Sequence, residues 1–456
     1  MNQTQSRDLR EALRAVPILD PHSHLVGGHL GAQGLHDILL YHMSVSDLYG
    51  AGCPSGKRLT EYPGWPTQAE AHARLTEALP FLKQVKNTSI QWGVRTILRD
   101  LYGVEQPVDE TNWRAIDGKI RERAQDAGWH REILHRQNIQ AGCTELARRE
   151  NGEGDDFLHY CLEWTFFART QWGEFDTALY ELERAWKSQP KSPLPIGGKN
   201  RPPAPNTIRT VDEVKEAVRY VGSVIPYDKV VSVATHLGAE IDYTPPSDAE
   251  MQRAIDNRQN ATLRERDLYA AYIHELFLAE LEKRADRITF QFATAAEPMP
   301  FETCSRIPQA TFAHIGRMVE RHPKLKFQCF LSSHHGNQTM CSMCRELPNL
   351  SMAGIWWHNF FPNIMRQVLE DRLDMLPMNR QIAFFSDAYC VEWSYAKAVL
   401  VREVLADALI ARVERGQYSR EDAIEVARGV LFDSPQSLLK MTPRFTATQE
   451  TAHAAR

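Results

Sequence analysis

The 456-residue chain holds 43% hydrophobic and 24% charged residues, with a formal net charge of -5 at pH 7. This is the composition of a folded globular protein, and it excludes a disordered or collagen-like chain. The acidic balance provides no basic field for nucleic acid, so we expect no such partner. No apolar run approaches the roughly 18 residues that a bilayer-spanning helix needs, and the polar N-terminus lacks the apolar stretch of a secretory signal. We therefore predict a cytoplasmic protein that makes no membrane contact.

Apolar segments alternate with amphipathic helical segments along the chain. The first apolar segment is VPILDPHSHL, residues 16–25, and it follows an N-terminal helix. Further strands are predicted at 229–241, 287–295, 324–333, 349–359 and 380–389. Helices are predicted at 207–220, 262–286, 307–323, 393–415 and 421–441, with another that ends at Leu376. The alternation indicates parallel βαβ units, and no glycine-rich loop follows the first strand to favour an open nucleotide-binding sheet. We predict the α/β class with a (β/α)8, TIM-like barrel.

We expect residues 1–456 to form a single barrel domain, in which two segments depart from the alternation of strands and helices. Residues 44–130 are mainly helical in pattern and predict a helical insertion after the first strand. Residues 187–206 are rich in proline and predict an exposed surface loop. Cys341 and Cys344 have the spacing of a zinc knuckle but lack a second pair, so we interpret them as helix residues with reduced thiols.

Two histidines end the first predicted strand as His22-Ser23-His24. Side chains two residues apart on a strand point to the same side, so both imidazoles can reach one divalent ion. Imidazole suits zinc and other transition metals better than calcium. The alternative is a pair of ordinary surface histidines. Their position at the C-terminal end of a barrel strand, where active sites of this fold lie, favours the metal site.

Asp387 ends the apolar run of the last predicted strand. Because the last strand of a closed barrel lies beside the first, this carboxylate can meet the same ion as His22 and His24. It can also act as a general base beside a metal-bound water or a substrate hydroxyl. The alternative is an N-cap for the helix that begins near Glu392, for which Asp387 lies somewhat early. We predict one divalent ion, zinc as first choice, held by His22, His24 and Asp387.

The other candidate site residues are His42, His236, His334, His335, Trp356 and Trp357. The histidines that follow strands are either site residues or surface-loop residues. His42 lies in an apolar helical segment, where a packed histidine is the usual finding. One tryptophan can pack in the core while the other lines a pocket, because alternate strand residues face opposite sides.

Together, these segments resemble the uronate isomerases of the amidohydrolase superfamily over nearly the whole chain. DPHSHL is similar to that family's first-strand D-x-H-x-H-L motif, and LLYHM is similar to a segment with a His-Tyr pair. GIWWHN resembles its G-x-W-W strand, and FFSDAY resembles its last-strand S/T-D-x-R motif. The resemblance implies an amidohydrolase-type barrel and a single divalent metal, commonly zinc, used to interconvert aldose and ketose hexuronates.

The resemblance also implies roles for individual residues. His22, His24 and Asp387 correspond to the metal-binding and proton-transfer residues of the family. His42 corresponds to its characteristic active-site histidine, and the adjacent tryptophans of GIWWHN correspond to its tryptophan pair.

The chain departs from the family pattern in the polar part of the site. Met43 stands where a tyrosine is expected, and Tyr389 stands where an arginine is expected. Methionine makes no useful hydrogen bond, and tyrosine does not pair with a carboxylate through two parallel bonds as arginine does. Ala293 stands where many members carry a histidine. The metal end of the site is therefore kept, while the substrate end has changed.

We predict an isomerase that acts on a uronate or a related sugar acid, a small-molecule partner. Asp387 moves a proton between C1 and C2, and Tyr389 or a histidine replaces the missing acid. The predicted substrate-binding residues are Trp356, Trp357, His236, His334 and His335. Two alternatives stay open: a metal-dependent hydrolase or lyase, which the lost tyrosine and arginine favour, and a non-catalytic sugar-acid binder, which the retained metal residues disfavour. Self-association into a homo-oligomer is compatible with the sequence.

Overall fold

A curled parallel sheet forms the centre of the protein. The computed structural model describes residues 3–55, 67–146, 156–168, 175–187, 207–295, 307–357 and 360–445. Its seven strands are hydrogen-bonded to one another in chain order. They are β1 (Ile18–Asp20), β2 (Ile139–Glu145), β3 (Leu158–Glu163), β4 (Val230–His236), β5 (Thr289–Thr294), β6 (Lys326–Leu331) and β7 (Leu350–Met352). Parallel neighbours need a crossover connection, and described helices lie in each of these connections except that between β2 and β3, most of which is outside the described residues.

The helices lie before, between and after the strands. Within the described ranges the α-helices are α1 (Gln3–Ala15), α2 (Leu35–Leu39), α3 (His42–Gly50), α4 (Gln68–Ala78), α5 (Leu82–Val85), α6 (Ser89–Tyr102), α7 (Trp113–Arg123), α8 (Trp129–Arg136), α9 (Phe175–Lys187), α10 (Val211–Val224), α11 (Asp248–Asp256), α12 (Leu263–Glu282), α13 (Ala310–Arg321), α14 (Asn337–Glu346), α15 (Pro362–Met375), α16 (Val391–Glu414), α17 (Arg420–Arg428) and α18 (Ser434–Leu439). Helices α4, α10, α11, α12 and α17 begin with a capping box, in which a Ser or Thr and an acidic residue satisfy each other's backbone N–H groups.

An irregular segment, 381–388, lies between β7 and β1 in place of the regular strand predicted at 380–389. Its backbone bonds β7 through Ile382 N, which donates to Met352 O at 3.0 Å. It bonds the chain after β1 through Asp387 N, which donates to His22 O at 3.0 Å. The strand prediction is wrong in detail: residues 382–388 are not a regular strand, and Asp387 adopts a left-handed φ of 50°, which is incompatible with one. The architecture is nevertheless that of a TIM-like fold.

Strands β2 and β3 were not identified from the sequence. Their segments, IQAGCTE and LHYCLE, mix small, polar and charged residues with few of the branched apolar residues that mark strands. They are strands because of their neighbours in the sheet. For β2, Ser23 donates from both its backbone N and its Oγ to Cys143 O, at 2.7 and 2.8 Å. This omission matters because β2 and β3 end in Glu145 and Glu163.

Other predicted elements differ mainly at their ends. The strand predicted at 349–359 is regular only over β7. The C-terminal helix predicted at 421–441 is broken into α17, a π-helical turn (Gly429–Asp433) and α18. Cys341 and Cys344 are buried in α14, as the helix interpretation predicted. The chain between β1 and β2 is mainly helical where described, and its status as an insertion and the single-domain organisation stay predictions. Of the predicted loop at 187–206, all but Lys187 lies outside the described residues.

Helix α16 is buried on nearly all of its faces and packs against α1, α6, α8 and α15. A helix that is apolar all round belongs in a protein interior, where every buried methylene contributes about 0.8 kcal/mol. Its buried charged residues are exceptions to this apolar pattern, and they include Lys397 and Arg402, with 2% and 4% of their surface exposed. Among the described helices, none is both long and apolar enough to cross a membrane.

Candidate metal centre and active site

Three side chains converge where β1 meets the segment 381–388. Asp387 Oδ1 lies 3.4 Å from His22 Nε2 and 3.1 Å from His24 Nε2. The ligand atoms that these residues offer all lie within 4.8 Å of one another, and no other such group occurs in the described part of the chain. The two histidines come together because they are two residues apart, and Asp387 reaches them because the segment 381–388 lies against the chain that follows β1.

The carboxyl group of Asp387 is ionised at neutral pH. Burial by itself raises its pKa, but hydrogen bonds from His22 and His24 outweigh this effect and hold the pKa well below its usual range. Lys397 adds a favourable charge interaction in the same direction. An ionised carboxylate between two imidazoles is a suitable donor set for a transition-metal ion.

Glu145, at the end of β2, fixes the orientation of one of these imidazoles. Its Oε1 lies 2.6 Å from His24 Nδ1. When the carboxylate accepts the Nδ1 proton, Nε2, the nitrogen that faces Asp387, is the one that can give up its proton and bind a metal ion. Histidines that bind metals in proteins commonly have a carboxylate partner of this kind. The residues present therefore fit a divalent metal ion.

Asp20 has a different role from the histidines of the same motif. It is fully buried, and its Oδ1 accepts a hydrogen bond from Ser386 N at 2.8 Å. Burial raises its pKa to about 7. Asp20 thus joins β1 to the segment that carries Asp387.

His42 and Trp357 form one wall of the site. The His42 Nε2 atom lies 3.7 Å from Asp387 Oδ2, on the other carboxylate oxygen from the one that faces His22 and His24. Its ring is stacked on Trp357, with centroids 5.0 Å apart and 9° between the planes. Burial lowers the pKa of His42 to about 3, so it is neutral at pH 7. Trp357 adopts a left-handed φ of 52°, an unusual conformation for a bulky residue.

Tyr389 lies against two histidines of the site, His24 and His42. Its ring is stacked on His24 at a centroid distance of 4.8 Å and meets the His42 ring edge-on at 5.6 Å. The tyrosine that replaces the family arginine is therefore close to the cluster. Met43, at the other departure from the family, is buried in α3.

His236 and Trp356 lie on a further side of the barrel mouth. His236 ends β4, and its ring centroid is 5.8 Å from that of Trp356. Burial, together with the neighbouring His22 and His24, lowers the pKa of His236 to about 4. These two residues are thus near the cluster without being among the three convergent ligands.

His334 and His335 form a short 3-10 turn after β6. Their ring centroids are 3.9 Å apart, and His335 is exposed. Within the described residues the structure records no contact between this pair and His22, His24 or Asp387. Their predicted substrate-binding role therefore has no geometric support from the cluster.

Four residues close to the cluster were missed by sequence reasoning: Tyr41, Glu145, Glu163 and Lys397. Glu163 ends β3, accepts from Thr165 N at 2.9 Å, and has its pKa raised to about 7, chiefly by burial. The two glutamates would have been found if β2 and β3 had been recognised, since residues at strand ends are the natural candidates. The signal for Lys397 was a lone lysine in the apolar run AKAVLV.

A cavity of about 420 Å³ lies away from the cluster. Its lining includes the first residues of β3 and β4, whereas the cluster lies at the opposite, C-terminal ends of the strands. Because active sites of this fold lie at the C-terminal ends, we assign no part of the candidate site to this cavity.

No protein-family model and no curated protein matches the chain. Solved structures do match it. Uronate isomerase from Thermotoga maritima is 12% identical, with a TM-score of 0.73 over 96% of this chain and 98% of that one. Uronate isomerase from Bacillus halodurans is 16% identical, with a TM-score of 0.70 over 98% and 100%. Glucuronate isomerase from Caulobacter crescentus is 15% identical, with a TM-score of 0.73 over 96% and 95%. A proposed metal-dependent hydrolase from Lactobacillus casei is 13% identical, with a TM-score of 0.57 over 95% and 97%.

These comparisons define the class of protein by its fold. The chain is an α/β protein with a TIM-like barrel. More particularly, it has the fold of the uronate isomerases over almost its entire length, which confirms the fold resemblance drawn from the four sequence motifs.

Proposed function

We propose that the protein is a metal-dependent, amidohydrolase-type isomerase that interconverts the aldose and ketose forms of a hexuronate or a related sugar acid. The observation that carries the proposal is the cluster of His22, His24 and Asp387 at the mouth of a barrel whose fold is shared with three uronate isomerases. One divalent ion, zinc as first choice, would be held by these three residues. When bound, it would supply Lewis acidity that polarises a substrate carbonyl or hydroxyl.

The two oxygens of Asp387 have different neighbours, which suits two tasks. Oδ1 faces His22 and His24 and belongs with the metal ligands, whereas Oδ2 faces His42. In our proposal Oδ2 takes the proton from C2 of the aldose and returns it to C1, while the hydroxyl proton moves from O2 to O1. No atom is gained or lost, as an isomerisation requires.

The surrounding residues hold and shield the substrate. His42 is neutral and next to Oδ2, so it can hold the hydroxyl proton during its transfer, and the Tyr389 hydroxyl is the second candidate for this step. Trp356 and Trp357 provide apolar faces that exclude water. His236 is a further hydrogen-bonding partner for substrate hydroxyls.

The test is metal analysis of the purified protein together with incubation with glucuronate and galacturonate. We expect about one metal ion per chain, a ketouronate product, and loss of the metal in H22A/H24A. Asp387→Asn should abolish turnover and leave the fold intact. Asp117→Asn is the matched control, because Asp117 is a buried carboxylate bonded to Leu35 N and His72, far along the chain from the cluster. Full activity of D387N would refute the assigned mechanism.

A second candidate function is a metal-dependent hydrolase or lyase. Tyr389 favours it, because it stands where the family's sequence motif has an arginine, and its ring is stacked on His24. Hydrolysis in ¹⁸O-labelled water incorporates solvent oxygen into the product in stoichiometric amount, whereas isomerisation does not once carbonyl exchange is subtracted. A protein that holds metal, leaves both uronates unchanged and passes the ¹⁸O test on another substrate would favour this candidate.

A further inference from the structure

A lysine is buried at the centre of the molecule and does not reach the candidate site directly. Lys397 lies in α16 with 2% of its surface exposed. Burial lowers its pKa to about 8, although the charges of Asp387 and Asp20 oppose this shift. The amine is therefore mostly protonated at pH 7. A lysine is seldom fully buried without a specific partner.

The partner of Lys397 is the hydroxyl of Tyr41. Lys397 Nζ donates to Tyr41 Oη at 2.7 Å and lies 4.5 Å from the centre of the Phe360 ring, within cation–π range. Tyr41 is itself buried, and its Oη donates to the backbone O of Asp387 at 3.0 Å. Because the tyrosine hydroxyl accepts from a charged group, its own donated hydrogen bond is strengthened.

The backbone of Asp387 needs such support. Its φ of 50° is a left-handed conformation that non-glycine residues seldom adopt without surrounding constraints. Three hydrogen bonds tie this stretch to other parts of the chain: Asp387 N donates to His22 O, His24 N donates to Ala388 O, and Tyr41 donates to Asp387 O. Only the third of these hydrogen bonds comes from a residue outside the chain that follows β1 directly and the segment 381–388.

We propose that Lys397 is a positioning residue that acts through Tyr41: it holds the backbone of Asp387 in the left-handed conformation that directs the carboxylate at His22 and His24. This inference rests on the proposed metal site and adds to it a supporting residue that is not itself a metal ligand. Lys397 makes no hydrogen bond to the metal ligands; besides its charge interaction with the Asp387 carboxylate, it is connected to the site through Tyr41 and the Asp387 carbonyl.

A merely structural role is the competing explanation, and the same helix offers a matched control. Arg402 is also a buried cation of α16, but it donates to the backbone oxygens of Leu13, Val16 and Gln137, away from the cluster. Lys397→Met and Arg402→Met each replace a buried cation by a flexible apolar side chain. A general packing effect would appear in both variants, whereas a positioning effect would appear in K397M alone.

Zinc affinity measured by chelator competition on the full chain is the first test. We expect K397M and Tyr41→Phe each to lower the affinity about 10- to 100-fold, the range typical for residues that support metal ligands. With the site saturated by metal, kcat should fall while KM changes little, because both residues are buried and neither is among the proposed substrate-binding residues. R402M should keep wild-type affinity. Wild-type affinity in a folded K397M would overturn the proposal.

A double-variant cycle tests whether the two residues act in series. The zinc affinity of K397M/Y41F should be no lower than that of whichever single variant binds zinc more weakly. Losses that multiply would show that Lys397 acts by another route and would overturn the proposal.

The third measurement does not depend on metal or activity. In apo protein, the side-chain ¹⁵N resonances of His22 and His24 report their hydrogen bonds to Asp387. We expect K397M to shift them towards the D387N pattern and R402M to leave them in place. An unchanged K397M spectrum refutes the positioning role. A wild-type protein without metal or turnover would refute only the proposed function.

Discussion

Glu145 Oε1 lies 2.6 Å from Nδ1 of His24, although helices α2 to α8 separate the two residues in the chain. This contact determines which nitrogen of His24 is available to a metal ion. It also joins the ends of β1 and β2 at the mouth of the barrel. The first prediction concerns this pair.

Glu145→Leu should weaken metal binding by about 10- to 100-fold, because His24 loses the acceptor that fixes its tautomer and ring orientation. Glu163→Gln is the comparison: Glu163 ends the adjacent strand and also interacts with His24 through its charge, but its hydrogen bond goes to the backbone of Thr165 and not to the His24 ring. Competition with a chelator at pH 7 measures both variants. Equal affinities for E145L and wild type would show that Glu145 does not orient the ligand.

The buried carboxyl group of Asp20 should make the apo protein less stable as the pH rises. Its pKa is about 7 in the folded chain, against an ordinary value of 3.8, so the folded state retains a proton that the unfolded state has released. Stability from this group is therefore greatest below its ordinary pKa and falls as the pH rises to about 7, by the order of 4 kcal/mol.

Asp20→Asn tests this dependence, because asparagine still offers Oδ1 to Ser386 N and carries no charge. Urea denaturation of both proteins at pH 5, 6, 7 and 8 should give a stability difference that grows in favour of D20N as the pH rises. A constant difference across the series would contradict the assignment of the shift to Asp20.

His42 should make the apo protein less stable as the pH falls below about 6.5. Its pKa is about 3 in the folded state, against an ordinary 6.5, so protonation below pH 6.5 favours the unfolded chain. His42→Phe keeps a ring against Trp357 and removes this proton uptake. Relative to wild type, apo H42F should gain about 3 kcal/mol between pH 7 and pH 4.5. Denaturation at the two pH values checks this, and a difference that does not change with pH would exclude it.

The same variant has a separate effect on the reaction. If His42 holds the transferring hydroxyl proton, H42F should lower kcat about 100-fold or more while the metal remains bound. Turnover of glucuronate and metal content, measured on the same sample, distinguish a lost proton carrier from a lost metal. Wild-type kcat would remove His42 from the catalytic residues.

Tyr389→Phe separates the hydroxyl of this residue from its ring. The ring stacks on His24, so phenylalanine should preserve metal affinity. If the hydroxyl takes part in proton transfer, kcat should fall at least about 10-fold. Tyr395→Phe is a control, since Tyr395 Oη donates to Asp100, on α6 rather than at the cluster. Unchanged kcat in Y389F would leave the ring as the functional part.

Much of the ligand cluster was accessible from local sequence. The i and i+2 spacing of His22 and His24 determines that they share one side of an extended chain, and an aspartate at the end of the last apolar run is their natural partner in a closed barrel. The four motifs also indicated the fold correctly, since their order follows the order of the barrel segments. The roles of these residues in binding metal and in catalysis stay predictions.

What the sequence by itself determined was therefore the fold class and the three residues offered to a metal, because both depend on periodicity and on the order of segments. Only the tertiary structure decided which side chains support them. Glu145 meets His24, and Lys397 reaches Asp387 through Tyr41, across contacts between residues far apart in the chain. The physical reason is that such hydrogen bonds depend on strand register and helix packing, which no local spacing specifies. The left-handed backbone of Asp387 is of the same kind, since neighbouring segments impose it against the residue's own preference.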